Sequence, residues 1–427
     1  MLSALRIALA AGLAASASWA GAGETAVPAG PGTLQQAIDK AGPGDVLRLG
    51  DGPYDGPVTI SKPLTLQGNG QSLVKGPGKG TVITVEGSDI TISGLAVQGS
   101  GIRLDDLDSG IAIAKTAKNV LVEDNILTSN LIGVDVHGGR KVIVRGNTIT
   151  GRNDLRKNER GPGIYVWNAP GLLVEDNTIA RGRDGVFITT SHHATYRNNR
   201  FSELRFAFHS MYANDITVTG NVSRGNDMGY AFMFSRKLTV TDNLSDGDRE
   251  HGIFMNFANK ADIRNNTVAN GGEKCLFIYN SNGNSFTDNR FEGCGIGVHF
   301  TAGSEGNAMS GNAFMNNRTQ VKYVGTRWLE WSEDGRGNYW SDHAGFDVNG
   351  DGLADSIYRP NDLIDHITWS QPMARLLLGS PAVQLIRWSQ SRFPNLLPGG
   401  VIDSHPLMSP EGAGLSTATK NEKGGQS

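Results

Sequence analysis

Leu238-Thr-Val-Thr-Asp-Asn243-Leu-Ser-Asp246 alternates apolar and polar residues, turns at a polar pair and starts a second short apolar run. Val142-Ile-Val-Arg-Gly-Asn147-Thr-Ile-Thr150 follows the same grammar, and Val120-Leu-Val and Leu172-Leu-Val open further copies. A two-residue period argues for strands rather than helices. Working outward, the asparagines that precede an apolar residue fall at Asn125, Asn147, Asn177, Asn199, Asn221, Asn243, Asn266, Asn289 and Asn312. Their spacings are 22, 30, 22, 22, 22, 23, 23 and 23 residues. A second line through Gly133, Gly163, Gly185, Ala207, Gly229, Gly252, Cys275 and Gly297 keeps step, with spacings of 30, 22, 22, 22, 23, 23 and 22. A period of this length is too short for a strand plus a packed crossover helix, which needs about 30 residues. The coils must therefore stack strand on strand, about 4.8 Å apart. The fold expected is all-β: a right-handed, single-stranded parallel β-helix, a pectate-lyase-like solenoid. Aligned asparagines then hydrogen-bond along the stack while tolerating left-handed turns. Both lines gain eight residues at one place, so the charged stretch Arg152 to Gly161 is an insertion, read as a solvated loop.

The ends differ from the repeat. Arg6, the apolar run Ile7 to Ala17 and the small residues Ser18, Ala20 and Ala22 read as a secretory signal peptide over 1–22, without a twin-arginine pair. Thr33-Leu-Gln-Gln-Ala-Ile-Asp-Lys-Ala41 reads as a short amphipathic helix, N-capped by Thr33, that covers the first coil. The β-helix with this cap spans 23–327. From Trp328 the period fails, and 328–408 is expected to be a cap or docking segment with irregular and helical structure. Two short helices broken at Pro381 are expected within Leu363 to Trp388. Residues 409–427 read as a disordered tail. A formal net charge of −3 offers no cationic footprint for nucleic acid. Cys275 and Cys294 are the only cysteines; a bridge and two free thiols both stay open, since bonding needs Cα atoms within about 7 Å.

Counting from the Gly line, alternation turns Val134, Val136, Ile164, Val166, Val186, Ile188, Ile253, Met255, Leu276 and Ile278 inward. Asp135, His137, Tyr165, Trp167, Phe187, His209, Met211, Met233, Phe254, Phe277, Tyr279 and His299 face out. An outward strip so aromatic suggests a binding surface. His209 and Met211 lie two apart on one strand, and Met233 stacks one coil from Met211. Imidazole and thioether are ligands suited to Cu(I). His192, His193 and His299 are further candidates on neighbouring coils. The structural alternative is that these Met and His side chains fill gaps beneath loops, or that the aromatics pack against a lid. A glycosidase needs paired carboxylates, and Asp135 is the one carboxylate placed on this face. Polysaccharide binding, or uronate lyase or epimerase chemistry through Asp135 and His137, is the alternative reading. Asp347, Asn349, Asp351 and Asp355 follow a calcium-loop-like spacing, but Tyr358 stands where the full loop has Glu. Calcium and an Asx-rich turn are both open.

The C-terminal third carries a more specific pattern. Gly337-Asn-Tyr-Trp-Ser-Asp342, Phe346-Asp-Val-Asn-Gly-Asp-Gly-Leu-Ala-Asp355, Tyr358-Arg-Pro-Asn-Asp-Leu363, Ser380-Pro-Ala-Val-Gln384 and Pro398-Gly-Gly-Val-Ile-Asp-Ser404 together resemble the NosD family. The resemblance extends over nearly the whole mature chain. It implies a periplasmic accessory protein without catalytic turnover that assists assembly of the copper-sulfide centre of nitrous oxide reductase. An ABC transporter of NosF ATPase and NosY permease subunits, the reductase itself and the copper chaperone NosL are the partners it implies. It fixes no ligands, so His209, Met211 and Met233 rest on the face reading alone.

Overall fold

In a computed structural model that describes residues 22–378, 380–393 and 399–413, the repeat closes into an all-parallel β-solenoid. One strand per coil joins a 12-stranded parallel sheet running from Val58–Ile60 to Thr319–Val324. The remaining strands of the coils form a 24-stranded sheet that closes the tube. Register advances by whole coils: Val174 pairs with Tyr196, Tyr196 with Val218, Val218 with Val240 and Val240 with Ile263. All five side chains are fully buried, so like stacks on like through the tube's interior and each coil is the template for the next.

The expected asparagine ladder is present. Asn221 donates through its backbone N and its Nδ2 to Asn243 Oδ1, both at 3.0 Å. Its Nδ2 also donates to the Tyr196 carbonyl at 3.0 Å. Each amide thereby satisfies turn groups that water cannot reach. The ladder passes the insertion unbroken, since Asn147 Nδ2 donates to Asn177 Oδ1 at 3.0 Å. The inserted loop holds a 3-10 turn at Lys157–Glu159, and Lys157 Nζ meets Asp227 Oδ2 at 3.0 Å, well beyond its own coil. This ion pair ties the loop to the solenoid, while Asn153, Asp154, Arg156, Asn158 and Glu159 are exposed, as expected of a solvated loop.

The cap helix α1 spans Thr33–Lys40 with Leu34 and Ile38 buried. Its N-cap is Gly32, not Thr33; Thr33 is the first helical residue, and its hydroxyl donates to the Gly30 carbonyl at 2.9 Å. At the far end the ladder continues past 328 to a tenth rung, Asn338, to which Asn312 Nδ2 donates at 2.9 Å. A 26-residue step disguises this rung in the sequence. Asp403 is buried and closes the end: its carboxylate accepts from Asn338 N and Trp340 Nε1, both at 2.7 Å. Burial pushes its carboxyl up, and these donors act against that. Trp328–Glu330 pairs with Gly400–Ile402 in a separate two-stranded sheet. Helices α2 (Leu363–Ser370) and α3 (Pro381–Arg392) follow the expectation, except that Pro381 opens α3 behind the Ser380 cap instead of breaking a helix.

Cys275 and Cys294 form a disulfide with Cα atoms 5.6 Å apart. The calcium reading is not supported. Asp347 accepts from the amides of Gly350, Asp351 and Gly352, and Asp355 from that of Val348, so these carboxylates knit an exposed turn. Asn349 Oδ1 likewise accepts from the Asp351 amide at 3.0 Å. Except for Ala22, the stretch read as a signal peptide lies outside the described residues. Of the tail, Pro410–Ala413 forms a 3-10 turn, and 414–427 also lies outside them.

Candidate functional site

The outer face of the 12-stranded sheet gathers the chain's unusual chemistry. Val134, Val136, Ile164, Val166, Val186 and Ile188 point into the tube and are fully buried. Side chains two after the Gly line form an outward column in register: Asp135, Tyr165, Phe187, His209, Ala231, Phe254, Phe277 and His299. Four after it stand His137, Trp167, Thr189, Met211, Met233, Asn256 and Tyr279. The rings pack on one another: His137 on Trp167 with centroids 4.4 Å apart, Phe254 on Phe277 at 5.1 Å and Phe277 on His299 at 4.7 Å. Tyr165, Trp167, Phe187, Phe254 and Phe277 are therefore half-buried, and only Tyr279 of the expected aromatic strip is exposed, at 41%.

A third outward column is absent from the alternation. The strand bends at the Gly line, so the Gly position and the next residue both point inward; a Cβ on Gly252 would meet Val268 Cγ1 at 2.2 Å. The residue just before the Gly line consequently faces out again. Asp184, Phe206, Met228, His251 and Lys274 form this column. Phe206 and His209 prove the shared face, with ring centroids 4.5 Å apart. Asp135 is thus not the one carboxylate of this wall.

His209 is the best-defined donor. Its ring lies between Phe206 and Phe187, 4.8 Å from the latter, and its Nδ1 sits 3.4 Å from Asp184 Oδ2. Arg205 donates to both Asp184 oxygens at 3.0 Å. Burial pushes the Asp184 carboxyl up, but the hydrogen bonds from His209 and Arg205 outweigh it and hold the group below its ordinary value. A carboxylate accepting from Nδ1–H leaves the Nε2 lone pair for a ligand. That Nε2 is buried with no hydrogen-bond partner. Met211 follows on the same strand and face, and Met233 is its register partner. The remaining candidates do not join them. His192 pairs with Asn214 in a turn outside the wall, His193 beside it has a left-handed backbone with φ of 54°, and His299 stands four strands away from His209. Burial, then Lys322, Lys274 and His251, lowers the His299 pKa to about 4. Among the described residues no three His, Cys, Asp or Glu side chains cluster as a metal-binding group; any site here draws on thioethers.

Beside the Met211 and Met233 column runs a feature the sequence reading missed. Tyr212, Phe234 and Phe257 are 50%, 40% and 42% exposed, with successive centroids 5.2 Å apart. All three have left-handed backbones, φ 54°, 50° and 52°, where Asn168 and Asn280 stand in other coils. Aromatic residues at turn positions that other coils give to Asn were the available signal. With Arg236, Lys237 and Lys260 they line a cleft of about 650 Å³.

Residues 146–345 match the family described as "Periplasmic copper-binding protein (NosD)". A "Probable ABC transporter binding protein NosD" of Stutzerimonas stutzeri is 41% identical over 375 residues, 84% of this chain and 86% of that one. The chain belongs to the NosD family. A Pseudomonas aeruginosa relative of the same name is 41% identical over 373 residues, 84% of this chain and 87% of its own length. The family is described as periplasmic, and among the described residues no helix is long and apolar enough to cross a membrane. These relatives are named as binding proteins, not enzymes. An exopolygalacturonase from Thermotoga maritima superposes with a TM-score of 0.53 at 13% identity, covering 62% of this chain and 83% of its own. The A-module of a mannuronan C-5 epimerase from Azotobacter vinelandii gives 0.52 at 17%, covering 70% and 92%. At such identities the sugar enzymes share the fold alone.

Proposed function

We propose that this chain is a periplasmic accessory of nitrous oxide reductase maturation that carries Cu(I) as cargo on the outer wall of its solenoid. The observation that carries the reading is His209: a buried imidazole, oriented by Asp184, whose Nε2 has no partner and whose strand and register neighbours are Met211 and Met233. Neutral nitrogen and thioether donors suit a soft monovalent ion and give a hard, oxygen-seeking one little to bind. The copper-binding description of the family and the transporter-binding names of the relatives support the same role. In this reading NosL delivers copper, the reductase receives it, and an ABC transporter of NosF and NosY type anchors the chain. Helix α3 and the 3-10 segment Pro372–Leu377 before it suit that anchorage, because Leu376, Leu377 and Leu385 are 81%, 60% and 63% exposed.

A Cu(I) titration of the mature protein against a competing chelator tests the reading. Wild type binds one ion, and the double variant His209→Ala, Met211→Ala loses about tenfold or more in affinity. Unchanged affinity in the double variant refutes it.

A further inference from the structure

Resting on the copper-handling reading above, we propose that the Cu(I) seat lies over Ala231 and that Met228 supplies a thioether to it. The central outward column is a stack of rings, Phe187, His209, Phe254, Phe277 and His299, interrupted once in this stretch by Ala231. Ala231 faces out between His209 and Phe254, yet it is completely buried. Something larger than its own methyl closes over it. On other strands of this wall the residue just before the Gly line folds onto the ring column. Phe206 stacks on His209 at 4.5 Å, His251 meets Phe254 edge-on at 5.5 Å and Lys274 Nζ lies 4.9 Å from the Phe277 centroid. On the strand between, Met228–Met233, the equivalent pair is Met228 and Ala231. Met228 therefore takes the room a ring would fill, with Met233 on the opposite flank and His209 one strand below.

The chemistry agrees with the geometry. His209 presents an unpartnered, buried Nε2 on this side of the wall, and its other nitrogen is committed to Asp184. Asp184 is itself held by Arg205, so the carboxylate that orients His209 is already paired. An imidazole with thioethers from Met228, Met211 and Met233 to draw on is a Cu(I) donor set. His251 borders the seat, but its ring is engaged by Phe254 and Phe277, 5.4 Å from the latter, which directs it toward the next strand.

Chelator-competition affinity and X-ray absorption at the copper edge, on the full mature chain, test this. Met228→Leu keeps the volume and removes the sulfur; affinity should drop about tenfold and one sulfur neighbour should vanish from the absorption spectrum. Ala231→Phe restores the ring column; the thermal midpoint should hold or rise while affinity drops by about the same factor. His251→Phe should stay within about threefold of wild type. If Met228→Leu retains wild-type affinity and sulfur count while His209→Ala loses binding, the seat lies elsewhere and only this inference fails. Wild-type protein that binds no Cu(I) overturns this inference together with the reading beneath it.

Discussion

Asp135 turns a carboxyl group outward into the wall with Oδ1 buried and unpartnered, and burial raises its pKa to about 7. A carboxyl raised in the folded state favours folding in its protonated form. Its contribution is full below about pH 4 and is lost as the pH rises toward 7, where the folded group ionises. Asp135→Asn should therefore flatten the pH dependence of stability, gaining about 1–3 kcal/mol at pH 8 relative to pH 4 against wild type, read from urea midpoints. Parallel pH profiles for the two proteins would show that Asp135 is not the cause. Asp184 behaves in the opposite way, because His209 and Arg205 stabilise its charged form. Asp184→Asn keeps the shape but weakens the orientation of His209, and Cu(I) affinity should fall about 10- to 100-fold in a chelator titration. His209, Met211 and Met233 were legible from alternation along a strand and the coil period. Met228 and Asp184 were not, because alternation ran straight through a bend that reverses it.

At the scale of the element, the asparagine ladder is the part of the chain most tightly specified. Each rung serves the coil on either side: Asn221 Oδ1 accepts from Asn199 N and Nδ2 at 2.9 Å, and its own Nδ2 donates onward. Asn221→Ala orphans buried groups on both neighbours and should cost about 2–4 kcal/mol in chemical denaturation. A loss below about 0.5 kcal/mol would mean that the ladder adds little to stability. The strand pairing needed only the period, since a coil displaced by one residue would expose its core face. The pinning of the insertion by Lys157 and Asp227 was beyond the period, as it joins residues in different coils by charge alone.

Across the whole molecule, the motifs that carried the family resemblance prove to be largely architectural. Asn338 and Trp340 both bind Asp403, and Trp340 stacks on Phe314 with centroids 4.4 Å apart. They seal the last coil. Excising 361–408 would remove Asp403 from this seal, so anchorage is better tested by point changes on the exposed helical surface. Leu376→Glu with Leu385→Glu should abolish co-purification with the transporter while shifting the thermal midpoint by less than about 2 °C. Undiminished co-purification would exclude this surface as the anchor.

The sequence alone determined the solenoid, the ladder and the direction of most wall residues. A strict period with two-residue alternation leaves one way to stack the coils, and contacts between adjacent coils are then implied by counting. Tertiary structure decided what counting cannot reach: the corner that turns Met228 and Asp184 outward, the Cys275–Cys294 bridge, and the closure of the end around Asp403. Each depends on where the backbone bends or on which distant segments meet, and those are set by packing in three dimensions rather than by any repeat along the chain.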